Sequence, residues 1–221
     1  MEEILECSNC GTKYKSHFLS VVKPLHADQV ALINEYIKPE QKSYCTKCGG
    51  SLFDECKNKT ESEIASLNRK LSELISYIPV ISVQNPFNWN YTIIGMVTAQ
   101  TTTGTGVFSE FASSFNDLFG KQSKSYNTKL KAGEELCFAQ LRSNALNLYS
   151  NAVIGVDIDY AEVGGEKGML MVCMAGTAIK LQNTEILKQG HTEKINEAIK
   201  INERRSVLNT ILIAATKDVF I

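Results

Sequence analysis

Cysteine is the residue type in this chain best placed to do chemistry. Seven occur, against three histidines, His17, His26 and His191. Four of the cysteines form two pairs, Cys7-Ser8-Asn9-Cys10 and Cys45-Thr46-Lys47-Cys48, followed by Gly11 and Gly49. A Cys-x-x-Cys turn brings two thiolates toward one point, and two such turns suit one tetrahedral Zn²⁺ at Zn–S bonds of about 2.3 Å. Glycine after the turn permits the tight backbone through which amides approach the sulfurs. Four thiolates fill the coordination sphere, so Cys7, Cys10, Cys45 and Cys48 predict a closed, structural site. The metal also explains how a segment of about 55 residues, too small for an ample core, folds. His17, His26 and Cys56 are alternative ligand types nearby and read as bystanders.

The elements that position these residues follow from pattern. Thirty-four residues separate the two pairs, more than a ribbon usually needs, which implies an insertion. His26–Ile37 reads as a short helix within it, with Asp28 near its start. Residues 1–59 are thus a zinc-ribbon-like domain with a helical insertion. Thr60-Glu61-Ser62-Glu63 matches a capping box. Ile64, Leu67, Leu71, Leu74 and Ile78 then recur at spacings of 3 and 4, and Pro79 stops the helix. Residues 60–78 therefore read as an amphipathic linker helix.

Residues 79–181 read as α+β. Tyr91–Ala99 is β-branched and predicts a strand. Thr103-Gly104-Thr105-Gly106 breaks it, and Val107–Leu118 predicts a helix with Phe108, Phe111, Phe115 and Leu118 on one face. A second helix is predicted over Lys131–Ser150, with Cys137, Leu141, Ala145 and Leu148 as its apolar stripe and Asn151 closing it. Ala152–Tyr160 and Met169–Leu181 predict two strands, hairpin partners across Gly164-Gly165. The order is strand, helix, helix, strand, strand. The tail, residues 182–221, predicts a helix with an apolar stripe that includes Ile195, Ala198, Leu208 and Ala215.

Ile94-Gly95-Met96-Val97-Thr98, Phe115-Asn116-Asp117-Leu118-Phe119-Gly120, Asn151-Ala152-Val153-Ile154-Gly155-Val156 and Ala175-Gly176-Thr177-Ala178 occur in that order. Together they resemble the bacterial and archaeal YbjQ family, which carries a heavy-metal-binding label. The resemblance spans roughly residues 80–181. It implies a small, dodecin-like α+β subunit that assembles as a homo-oligomeric ring, typically a pentamer. The residues themselves lend the metal label little. The resembling region holds Cys137, Cys173 and the methionines Met96, Met169, Met171 and Met174, without histidine. Met169, Met171 and Cys173 alternate and share one face of a strand. Soft sulfur of this kind suits Cu(I), but core and interface packing is the commoner use.

Other patterns are weaker. Gly104-Thr105-Gly106 sits between a strand and a helix, yet lacks the third glycine of a dinucleotide fingerprint and the lysine of a P-loop. Asp157 and Asp159 share a strand face that reads as solvated. No Ser-His-Asp or Cys-His arrangement can be placed, so no enzymatic activity is expected.

Charge excludes other classes. Lys and Arg number 23 against 24 Asp and Glu, a net charge of −1. Lys13, Lys15, Lys42 and Lys47 near the cysteine pairs are offset by Glu2, Glu3 and Glu6, so nucleic acid is not the expected partner. No apolar run reaches the roughly 18–20 residues of a membrane span. The acidic start, Met1-Glu2-Glu3, is unlike a signal peptide. A reducing cytoplasm is the expected compartment. The expectation is a non-enzymatic binding and assembly protein, in which an oligomeric YbjQ-like domain displays a zinc-ribbon head to a protein partner. The alternative is a metal sensor, store or carrier acting through the YbjQ-like domain.

Overall fold

The computed structural model describes residues 6–17, 20–103, 123–163 and 169–217. The predicted helix over Val107–Leu118 and the Gly104-Thr105-Gly106 turn lie outside these residues. The described elements are β1 (Lys15–His17), β2 (Ser20–Val22), α1 (Ala27–Tyr36), α2 (Thr46–Leu74), β3 (Tyr91–Thr103), α3 (Ser123–Asn147), β4 (Ala152–Val163), β5 (Met169–Leu181) and α4 (His191–Thr216). Single 3₁₀ turns at Ile75–Tyr77 and Thr184–Ile186 follow α2 and precede α4. The architecture is mixed α+β. The chain divides into two compact units, Met1–Lys70 with Glu203–Ile221, and Leu71–Asn202.

In the first unit β1 and β2 form a short antiparallel hairpin. Helix α1 occupies the predicted insertion. It starts at His26, whose side chain accepts from the Asp28 amide while Gln29 reaches back to the His26 backbone. Val30, Ile33 and Tyr44 form one buried cluster with Leu25, Leu52 and Phe53 against it. Leu32, Cys56 and Ala215 form another.

Helix α2 departs from the pattern. It begins at Thr46, so position 60 lies in mid-helix. Thr60 is fully buried, and its hydroxyl donates to the Cys56 carbonyl one turn earlier rather than capping anything. Glu63 instead accepts from Tyr36 and from Arg204, and Arg204 also donates to Glu35. A capping box and a mid-helix Thr/Glu pair have the same local sequence. The Arg204 partner, 141 positions away, decides between them.

The second unit is built on an antiparallel sheet in the order β3-β5-β4. Strand β5 matches its predicted span, and it pairs with β4 as expected. One sheet face packs against α3. Val97, Ala99, Val153, Val172 and Met174 meet Cys137, Leu141 and Ala145 there. On the opposite face Ala152, Ile154, Ile179 and Leu181 form a second cluster, with Ile81, Trp89 and Leu187 packed on it. Residues 79–83 run along β4, where the Val153 amide donates to Pro79 and the Ile81 amide to Val153. Helix α3 ends on Tyr149 rather than Asn151. Tyr149 takes a left-handed conformation at φ 60°, and the Ser150 and Tyr149 amides return to Ala145 and Leu146. This is a Schellman closure with tyrosine at the usual glycine position. Asn151 serves the sheet, bonding both the amide and the carbonyl of Leu181 through its side chain.

Candidate metal centre

The two cysteine turns are built differently. In the first, the Gly11 amide closes on the Cys7 carbonyl at 2.8 Å and the Cys7 amide on Thr12 at 2.9 Å. Gly11 has φ +68°, the left-handed region in which a side chain is strained. The second turn is the start of α2. Cys45 precedes the helix, and its sulfur accepts from the Cys48 amide at 3.4 Å, the position an N-cap oxygen takes. Gly49 lies within the first helical turns, and its role is space. A Cβ there would stand 2.6 Å from Leu25 Cδ1 and 2.7 Å from Tyr44 Cβ.

Backbone and side-chain bonds lock the turns together. Leu25 donates to the Tyr44 carbonyl and Thr46 to Lys23, flanking Cys45. Ser43 is buried between the turns, where its hydroxyl accepts from the Ser8 amide at 3.1 Å and donates to Glu6.

The four sulfurs, separated by up to 41 positions in sequence, lie within 4.8 Å of one another. Three separations are shorter: Cys7–Cys48 and Cys45–Cys48 at 3.5 Å and Cys10–Cys45 at 3.7 Å. A tetrahedron with bonds of about 2.3 Å has edges of about 3.8 Å, so the cluster is sized for a tetrathiolate ion. Cys7 and Cys45 are buried, Cys48 is half-buried and Cys10 is exposed.

Donors surround the sulfurs unevenly. Asn9 Nδ2 donates to Cys48 at 3.5 Å, and the Cys48 amide serves Cys45. The Thr12 hydroxyl lies 3.2 Å from Cys10. Bonds from the Thr12 side chain and backbone bring the Cys10 thiol down to about 6, against a small opposing effect of burial. Cys7 differs: as a thiol its oxygen neighbour is the Ser43 carbonyl, an acceptor, at 3.8 Å.

The remaining candidate ligands are elsewhere. His26 caps α1 and stands 3.2 Å from Asp28. It also lines a wide cleft of about 900 Å³ with Lys23, Phe53, Lys57 and Lys217. Cys56 is buried among Leu32 and Ala215, and burial pushes its thiol up. Cys137 is buried against α3's side of the sheet, donates to the Val172 carbonyl at 3.3 Å, and is likewise raised by burial. Met169, Met171 and Cys173, which alternation made packing residues, are half-exposed on the sheet face turned away from α3. The core positions of β5 are their neighbours Leu170, Val172 and Met174. Register places Cys173 between Gln100 and Asp159, and Asp157 and Asp159 are exposed as expected. Among the described residues, the cluster of three or more His, Cys, Asp or Glu side chains close enough to share an ion is Cys7, Cys10, Cys45 and Cys48.

Sequence reasoning missed Asn9, Thr12, Tyr14 and Ser43 around the sulfurs. The polar residues inside and just after the first Cys-x-x-Cys turn were the available signal.

A cluster of four thiols sized to hold one ion and an α+β domain thus define the class of protein. Residues 84–182 match the YbjQ family model, whose description is "Putative heavy-metal-binding". The matched range contains the β3-β5-β4 sheet and α3, and excludes all four clustered cysteines. The chain is also similar to a crystal structure of a protein with unknown function of the DUF74 family from Pediococcus pentosaceus. Identity is 21% over 47% of this chain and 96% of that one, with a TM-score of 0.31. No described helix is long and apolar enough to cross a membrane.

Proposed function

We propose that the protein is a non-enzymatic zinc-containing binding and assembly protein. Cys7, Cys10, Cys45 and Cys48 hold one Zn²⁺ per chain as a structural ion. The observation that carries this reading is the convergence of four thiols at 3.5–3.7 Å along three tetrahedral edges. Bound zinc supplies cross-linking and no chemistry with substrate, because four sulfurs leave no position for water. A reducing cytoplasm keeps such thiols available for metal. The YbjQ-like region, by its resemblance, forms a homo-oligomer, a pentamer in the family's usual state. Repetition of the zinc-bearing head then gives weak contacts to a protein partner avidity.

Metal content of the purified full chain tests the first part, with about one zinc per chain expected. Light scattering on the same sample tests the second, and a monomer at micromolar concentration would remove the assembly reading.

A second reading makes the YbjQ-like region an exchangeable metal site, favoured by the family description and by the half-exposed Cys173 beside Asp159. Unchanged copper, zinc and nickel stoichiometry in Cys173→Ser would count against it.

A further inference from the structure

The cleft of about 900 Å³ at the start of α1 lies wholly within the first unit. Its walls come from four places in the sequence. Lys23 and Leu25 belong to the segment hydrogen-bonded on either side of Cys45. His26 caps α1. Phe53 and Lys57 lie one turn apart on α2, and Lys217 follows α4. Leu25 and Phe53 also pack against the buried Val30, Ile33 and Tyr44, which fixes the apolar part of the wall.

The charge of this lining is one-sided. Lys23, Lys57 and Lys217 bring three positive charges, in a chain whose net charge is −1, and no Asp or Glu stands among the described lining residues. Among the described residues none of these three ammonium groups has an ion-pair partner. Asp28, the acid of the first turn of α1, stands against His26 instead. Other cations of the same unit are engaged: Arg204 with Glu35 and Glu63, Lys38 with Glu40, and Lys59 over the Tyr36 ring. Like charges gathered in a concave wall raise the local concentration of anions. The volume is that of a small-molecule site. Affinity for nucleic acid, by contrast, accumulates over many phosphates along a basic track.

We propose that this cleft binds a small phosphorylated molecule of nucleotide size, its phosphates held by Lys23, Lys57 and Lys217 and its apolar part lying against Phe53. Phosphate fits better than a single carboxylate, because two or more negative charges on one ligand match three ammonium groups. Lysine serves phosphate as a point charge. The inference stands apart from the zinc reading, since none of the four clustered cysteines lines the cleft.

The test is isothermal titration calorimetry of the full chain with ADP, inorganic pyrophosphate and adenosine as probes. ADP should bind, pyrophosphate should bind more weakly, and adenosine should give no heat. Added salt should weaken both anions. Lys23→Gln, Lys57→Gln and Lys217→Gln should each weaken ADP by about 3- to 10-fold. Phe53→Leu should bring ADP down toward pyrophosphate and leave pyrophosphate unchanged. Should Phe53→Leu not fold, the double variant of Lys23→Gln with Lys217→Gln carries the test, because both side chains are exposed. Loss of ADP binding in that variant supports the proposal. Wild-type protein that binds neither ADP nor pyrophosphate overturns it, as does a double variant that binds as the wild type does. Equal affinity for ADP and pyrophosphate overturns the assignment of an organic ligand. Binding of a single-stranded oligonucleotide with ADP silent overturns the proposal in favour of nucleic acid.

Discussion

In the first unit four thiols sit within 4.8 Å of one another, and two of them, Cys45 and Cys48, accept from a nitrogen donor. In the second unit, which carries the family's metal label, Cys137 is sealed against one side of the sheet and Cys173 is half-exposed on the other. The same element serves as a converging donor set in one place and as packing and surface in the other. Convergence and available donors, rather than sulfur content, distinguish the two. A family description covering residues 84–182 therefore does not locate the four-thiol centre of this chain.

Breaking the converging set should have the largest effect. Cys45→Ser is expected to abolish zinc uptake and unfold the segment around the two turns. Structural zinc contributes on the order of 10–16 kcal/mol in small metal domains, comparable to the whole stability of a domain. Metal analysis and amide exchange over residues 6–50 measure this. Cys173→Ser, by contrast, should leave zinc content and exchange unchanged. Persistent protection in Cys45→Ser would mean that packing of Val30, Ile33 and Tyr44 holds the segment alone.

The space behind the second turn can be tested next. Gly49→Ala forces a Cβ against Leu25 and Tyr44 and should cost about 1–3 kcal/mol. Gly50→Ala meets nothing within 4 Å and should be neutral or stabilising by up to about 1 kcal/mol. Urea denaturation of the loaded protein distinguishes them. Equal effects would sink the space argument for Gly49.

How far these features could be read from sequence follows from the range of the interactions. The cysteine pairs were legible because Cys-x-x-Cys is local. So were α1 and β5, whose patterns lie within a dozen or so residues. The start of α2 was not. The Thr60–Glu63 motif argues for a boundary near 60, and the long-range pairing of Glu63 with Arg204 overrides it. The end of α3 was missed because tyrosine took the glycine position.

Arg204 offers a smaller, pH-dependent break within the first unit. Its guanidinium holds the Glu63 carboxyl below the usual range, chiefly by their hydrogen bond, against the cost of burial. A carboxyl with a depressed folded pKa contributes stability that is present above its unfolded value of about 4.3 and is lost as pH falls through the lower folded value. Arg204→Ala should cost about 1–2 kcal/mol at neutral pH, because the three groups remain partly solvated. The variant should also lose less stability than the wild type on going from pH 5 to pH 3. Parallel acid profiles would mean the pair adds nothing at equilibrium.

The least disruptive probe sharpens the contrast between the two sulfur environments. In zinc-loaded native protein a thiol reagent near neutral pH should label Cys173 first, since its side chain is half-exposed on the sheet face turned away from α3. Cys137 should stay unmodified until denaturant is added. It is buried, its sulfur is held by the Val172 carbonyl, and burial raises its pKa, so little thiolate forms near neutrality. Chelation should add the four clustered thiols to the reactive set without releasing Cys137. Early labelling of Cys137 would mean that α3 opens from the sheet in the native state, because a side chain at that depth has no other route to the reagent.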